Sequence, residues 1–216
     1  MHFEIKDLRK KYGKKIVLDG IDLTAEGGRC IGILGGNGSG KSTLLSVIAG
    51  VLRPDSGSIT SEKDGVSARI GYVPQGTPLI EELSAKDNLR LWYSSGRMKQ
   101  ELENGVLKLL GIDDFLNVPV RKMSGGMKKR LSIGCAVSGD PDILLMDEPT
   151  SALDIVCKDN IYSYIGEFKD KGGIILLATH DVHEIEICDE CYVLKNGKLE
   201  KYIYDGDIHK LAGCIG

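Results

Sequence analysis

An apolar run, Cys30 to Leu34, feeds straight into the glycine-rich string Gly35-Gly36-Asn37-Gly38-Ser39-Gly40-Lys41-Ser42-Thr43. Ser42 to Ala49 then continues with helical spacing until Gly50 and Pro54 stop it. Gly35–Ser42 fits the pattern G-x-x-x-x-G-K-[ST], whose glycines let backbone N–H groups curl around phosphates at a helix N-terminus. Lys41 then reaches the β/γ oxygens, and Ser42 can ligate Mg²⁺. Strand, loop and helix in this order imply an α/β core built to hold phosphate.

Ile143 to Met146 and Ile174 to Ala178 are continuous apolar runs bounded by polar or turn residues. They suit central strands of a parallel sheet covered on both faces. The first run ends in Asp147-Glu148, which supplies what the loop lacks. Asp147 can hold the Mg²⁺ shell, and Glu148 can orient and polarise an attacking water. A second glycine-rich string, Ser124-Gly125-Gly126-Met127, lies far along the chain from the first. A protein needing one nucleotide pocket has no use for a second phosphate-binding loop so distant, which points to an ATPase that works in pairs.

The periphery reads differently. Phe3-Glu4-Ile5 and Ile16 to Leu23 are strand candidates, with Gly13, Gly20 and Gly27-Gly28 as turns. Ser58 to Thr60 and Arg69 to Val73 are expected to join them in a mainly antiparallel side layer. Between Ser84 and Val137 the pattern turns helical: Ser84 can cap a helix start with Asp87 in its first turn, and Leu102, Val106, Leu109 and Leu110 give one apolar face on a second helix. A helix is expected after His180, followed by a strand at Tyr192-Val193-Leu194. Lys195-Asn196-Gly197-Lys198 carries the Asn-Gly signal of a hairpin. The expected organisation is one domain over 1–216. Its core and β layer span about 1–75 and 138–216, and an inserted helical lobe spans about 76–137.

Composition narrows the functional classes. Hydrophobic residues make up 42% and charged residues 27%, which favours neither disorder nor a fibrous architecture. A net charge of −3 predicts no nucleic-acid partner. No apolar stretch approaches the roughly 20 residues needed to cross a bilayer. The start, Met1-His2-Phe3-Glu4, lacks the pattern of a secretion signal, so a cytoplasmic location is expected. The six cysteines are scattered and read as free thiols. Cys188-Asp189-Glu190-Cys191 is a C-x-x-C beside His183, yet it lacks the second pair that a zinc site normally needs.

Ser124-Gly125-Gly126, followed by Lys128-Lys129-Arg130 and then by Asp147-Glu148-Pro149-Thr150, resembles the signature and Walker B regions of ATP-binding-cassette (ABC) ATPases. The resemblance covers nearly the whole chain. Tyr12, the phosphate loop, Gln75, the signature, Walker B, Ser151-Ala152-Leu153-Asp154 and His180 follow the family's order. It implies a P-loop NTPase core with a mainly parallel central sheet, an N-terminal antiparallel β layer and an inserted helical lobe. Tyr12 would stack on adenine, Gln75 would contact Mg²⁺ or water, and His180 would hold the γ-phosphate. Ser124, Gly125 and Gly126 would bind the phosphate of ATP held by a second copy. ATP and Mg²⁺ are the implied cofactors, and catalysis would fall to Glu148, His180, Lys41 and Gln75.

The signature departs from the family's commonest L-S-G-G-Q by reading Met123-Ser124-Gly125-Gly126-Met127. Met127 in place of glutamine looks like the branch that drives export of drugs, lipids or haem-related cargo. The implied partners are a second ATPase subunit, identical or related, facing this one head to tail, and a separate transmembrane permease on the inner face of the membrane. Gln75 with Pro78 to Trp92 is the candidate docking surface, although Trp92 and Tyr93 can equally be core. A soluble ABC ATPase not coupled to transport is the alternative. A small-molecule kinase is a further rival, but it would leave Ser124 to Met127 and His180 without purpose. A scaffold that binds nucleotide without hydrolysing it would not need Glu148.

Overall fold

The computed structural model describes residues 1–151 and 153–215. Strands β1 (His2–Tyr12) and β2 (Lys15–Glu26) pair antiparallel around the Gly13 turn. Strand β3 (Arg29–Leu34) runs into the glycine loop, and helix α1 (Lys41–Ile48) leaves it. Next come β4 (Ser56–Lys63), β5 (Val66–Ser67) and β6 (Ile70–Val73). A helical stretch follows, with α2 (Ala85–Arg90), α3 (Ser95–Asn104), α4 (Val106–Leu109) and α5 (Gly125–Ala136). The chain then alternates through β7 (Ile143–Asp147), α6 (Ile155–Asp170), β8 (Ile174–Thr179) and α7 (Val182–Glu186). It closes with β9 (Glu190–Lys195), β10 (Lys198–Tyr202) and α8 (Ile208–Ile215).

Two sheets result. The smaller has the order β2-β1-β4-β5 and is antiparallel; the larger has the order β10-β9-β3-β8-β7-β6. Within the larger sheet β9, β3, β8, β7 and β6 run parallel, and only β10 reverses, across the Asn196-Gly197 hairpin. Both of those turn residues have positive φ, 53° and 77°, as a two-residue hairpin of this kind requires. The runs at β7 and β8 are buried along their whole length. Leu144, Met146, Ile175 and Leu177 face the core shared with the helical stretch and α6, while Ile143, Leu145, Ile174 and Leu176 face α1 and the smaller sheet. Each fully buried side chain of this kind contributes about 1.5–3 kcal/mol, so these two strands anchor both layers.

Three expectations from the sequence need correction. Arg69 to Val73 does not join the antiparallel layer: β6 pairs parallel with β7, Ile70 opposite Ile143 and Val73 opposite Met146. Gly71 permits this, because a Cβ there would meet the Ala136 carbonyl at 2.9 Å, so the strand lies against the end of α5 as part of the core. Gly20 is no turn but lies within β2 at φ 71°, as the extra residue of a bulge between the pairs Leu8–Ile21 and Arg9–Asp19. Leu102, Val106 and Leu109 do not share one helix. Gly105 breaks it at ψ −159°, and the Glu101 carboxylate accepts the freed N–H of Val106 at 2.8 Å.

Other expectations match. Ser84 caps α2, accepting from the Asp87 N–H at 3.2 Å, while its hydroxyl donates to the Asp87 carboxylate at 2.5 Å. Trp92 and Tyr93 divide between the two readings given to them. Trp92 is exposed, whereas Tyr93 is buried and its hydroxyl donates to the Gly134 carbonyl at 2.8 Å. All six cysteines are free. Cys188 and Cys191 both press on Gly32, where a Cβ would meet either sulfur at 3.1 Å, and Cys30 lies 3.7 Å from Cys188.

Candidate active site

The glycine loop occupies the end of β3, and the chain must turn sharply to start α1. Gly38 and Gly40 take positive φ values of 78° and 111°, and Gly40 approaches Val17 so closely that a Cβ would meet it at 2.8 Å. A side chain at Gly40 is therefore excluded by both backbone and space. Helix α1 begins at Lys41 with no side-chain cap and no acidic residue in its first turn. Its leading N–H groups lack partners within the helix, and the helix dipole adds positive character there. The buried Ser39 hydroxyl also lacks a partner among the described residues. An uncapped helix end, an orphaned buried hydroxyl and a lysine fit a phosphate chain.

Lys41 is 6% exposed, and its ammonium bends back to donate to the carbonyls of Gly35 at 2.7 Å and Gly36 at 3.3 Å. Burial lowers its pKa, while Glu148 and Asp147 oppose that shift. Asp147, at the end of β7, is pushed up by burial, and the nearby Ser42 hydroxyl opposes that shift. The Ser42 hydroxyl and the Asp147 carboxylate are hard oxygen donors side by side, the ligand type that magnesium takes alongside substrate phosphates.

Glu148 is 8% exposed and adopts φ 48°, a conformation costing about 1–3 kcal/mol for a residue with a side chain. Two neighbours grip its carboxylate: Gln75 Nε2 donates to Oε2 at 3.1 Å, and His180 Nδ1 lies 3.1 Å from Oε1. Its own N–H donates to Ala178 O at 2.9 Å, fixing the strand end against β8.

Glu184 drew no attention in the sequence. Buried on α7, it accepts from both the N–H and the hydroxyl of Thr150, at 3.1 and 2.5 Å, and so pins the turn that carries Glu148. Burial raises its pKa, and the hydrogen bond from the Thr150 hydroxyl and the nearby Thr179 oppose that shift. The only hint was an acid beside Ile185 in a short helix, which is too common a pattern to single it out.

Tyr12, Asn37, Gly38, Gly40, Lys41, Ser42, Thr43, Gln75 and Glu148 line one open cleft of about 290 Å³. Gly36 and Ser39 border the adjoining hollow, and Gly35 lies beneath Lys41. Ser124, Gly125 and Gly126 do not line this cleft. Ser124 caps α5 by accepting from the Met127 N–H at 3.2 Å, with Gly125 and Gly126 as the first helical residues. Of Ser151-Ala152-Leu153-Asp154, Ala152 lies outside the described residues, and Asp154 caps α6 by accepting from the Cys157 N–H at 2.9 Å.

The ABC transporter family model matches residues 18–151, from β2 through the phosphate loop and signature to the turn after Glu148. The chain belongs to the ABC transporter family. It is an ATP-binding cassette similar to exporter-type relatives. "Nod factor export ATP-binding protein I" of Sinorhizobium fredii is 36% identical over 98% of this chain and 65% of that protein. This chain therefore spans about two thirds of the relative's length. "Linearmycin resistance ATP-binding protein LnrL" of Bacillus subtilis is 32% identical over 91% of this chain and 67% of that protein. A solved dimer of the cassette MJ0796 in a post-hydrolysis state, bound to ADP and Pi, superposes with a TM-score of 0.81 at 27% identity. It covers 95% of this chain and 100% of that one. Among the described residues of this ABC cassette, no helix is long and apolar enough to cross a membrane.

Proposed function

We propose that this ABC cassette hydrolyses ATP to ADP and phosphate with Mg²⁺ and drives export through a separate membrane subunit. The observation that carries the reading is Glu148, a buried carboxylate held by Gln75 and His180 at a cleft that also contains Lys41 and the uncapped start of α1. Such a carboxylate orients water and takes up its proton as the γ-phosphate departs. Lys41 and the α1 N–H groups hold the β- and γ-phosphates, His180 donates to the γ-phosphate, and Tyr12, half exposed at the cleft edge, offers its ring to adenine. Ser42, Asp147 and Gln75 would hold a magnesium ion, which neutralises phosphate charge.

Ser124, Gly125 and Gly126 have no place in the cleft of their own chain, yet they form a second helix start suited to phosphate. Two copies set head to tail use both, each ATP lying between Gly35–Thr43 of one and Ser124–Gly126 of the other. The dimeric MJ0796 structure supports pairing of this kind. Ile80, Leu91 and Trp92 are exposed apolar residues beyond Gln75, and they form the docking surface for the membrane subunit. The chain then works on the cytoplasmic face of the membrane, as a single domain with its helical lobe at about 76–137.

Product analysis tests the reading. Incubation with Mg²⁺ and ATP should release ADP and inorganic phosphate in equal amounts. A phosphorylated small-molecule acceptor would instead identify a kinase. Expression beside a six-span membrane protein should retain the cassette in detergent-solubilised complexes, and an ATPase that never co-purifies with such a protein would favour the uncoupled alternative.

A further inference from the structure

Lys128-Lys129-Arg130 looks like one basic run, yet its members do separate jobs. Lys128 faces Glu81 at 3.6 Å near the surface, and Arg130 donates to Leu110 O at 2.9 Å over the Phe115 ring. Lys129 is buried at 5% exposure. Its ammonium donates to the main-chain carbonyls of Pro74 at 3.1 Å and Gln75 at 3.2 Å. Burial lowers its pKa, and Asp147, Glu184 and Glu148 counter that by favouring the charged form.

Pro74 and Gln75 begin a stretch without helix or strand that reaches Ser84. Gly76, next in line, has open space around it. The Gln75 side chain must nonetheless reach Glu148 from this exposed turn. A buried ammonium holding two consecutive carbonyls fixes the turn's height above the strand end.

We propose that Lys129 is a positioning residue, clamping the Pro74-Gln75 main chain so that the Gln75 amide meets Glu148 and tying that contact to the helix capped by Ser124. The second half rests on the head-to-tail pairing proposed above. In that pair, the Ser124 end of α5 serves one nucleotide while Lys129 on the same helix sets the hydrolytic group for the other. Movement of α5 as Ser124 engages phosphate would pass to Gln75 and Glu148 through a chain of hydrogen bonds within one subunit.

A double-mutant cycle on the purified full chain tests this. Lys129→Met should lower kcat for ATP by about tenfold with KM changed less than about twofold, because no residue lining the cleft is replaced and the phosphate loop is untouched. Lys129→Arg, which keeps the charge and the donors, should recover most of the rate. In a Gln75→Ala background Lys129→Met should cost little more, since its route to Glu148 is already cut. Unchanged kcat in Lys129→Met, or losses that multiply fully in the double variant, would overturn the assignment. If thermal unfolding shows Lys129→Met to be unfolded, Lys129→Gln enters the same cycle. ATP-dependent dimerisation of Glu148→Gln is measured in parallel. Its absence would remove the pairing while leaving the Lys129–Gln75 result intact.

Discussion

The side-chain amide of Gln75 donates to Glu148 Oε2 at 3.1 Å, joining an exposed turn after β6 to a buried strand end. His180 grips the other oxygen at the same distance. Glu148 is thus held from two loops that reach it from different strands, β6 and β8. A carboxylate fixed on both oxygens has little rotational freedom left, which suits a group that must aim at one water.

Glu148→Gln keeps the shape of this arrangement and removes the proposed base. Turnover should fall at least about a hundredfold while ATP still binds, and ATP should shift the variant toward a dimer in size-exclusion chromatography. Full ATPase activity in Glu148→Gln would strip the residue of its role.

Ser124→Arg places a bulky charge at the start of α5, outside the cleft of its own chain. Hydrolysis should drop about tenfold or more although the phosphate loop is untouched, and equilibrium ATP binding to the monomer should stay within a few-fold. Normal hydrolysis by this variant would refute the shared site.

Glu184→Ala orphans the N–H of Thr150, accepted now at 3.1 Å, and leaves its hydroxyl, accepted now at 2.5 Å, only the longer contact to the Tyr162 hydroxyl at 3.4 Å. The loss should cost about 3 kcal/mol in chemical denaturation and should also depress kcat, because the turn carrying Glu148 loosens. Glu184→Gln should be milder, since an amide oxygen still accepts and no longer bears the burial penalty of a charge. Equal behaviour of the two variants would contradict this assignment.

Asp142 gives a pH signature. Burial raises its pKa, but Lys63 at 2.8 Å and the Arg69 N–H at 3.0 Å outweigh that, and the net shift is downward. A carboxylate depressed in the folded state contributes stability above its unfolded pKa and loses it as pH falls through the folded value. Asp142→Asn should therefore lower stability by about 1 kcal/mol at pH 7, and the gap should close below pH of about 4. Denaturant midpoints measured across that range check it, and a gap that widens in acid would reverse the sign.

The parts of the site written as contiguous motifs were legible in the sequence: the loop from Gly35 to Thr43, the apolar strand ending in Asp147-Glu148, and the cap at Ser124. Each signals itself through local residue types. β6 did not, because at its edge position only Gly71 and Val73 are fully buried, and that alternation mimics a half-exposed antiparallel strand. Gly105 hid a helix break because a lone glycine is tolerated within helical patterns. The roles of Glu184 and Lys129 were hidden for another reason. Their partners, Thr150 and the Pro74-Gln75 carbonyls, are distant in sequence, and only the folded core brings them together.

The sheet order has a consequence for the growing chain. β3, which carries the phosphate loop, lies between β8 and β9 and pairs with no strand made before them. During synthesis every residue of the loop emerges long before residues 174–195 exist to flank its strand. Until then the loop has no sheet to project from, and closing that long-range pairing is entropically slow. A nascent cassette is therefore expected to ignore nucleotide until residues 174–195 have left the ribosome.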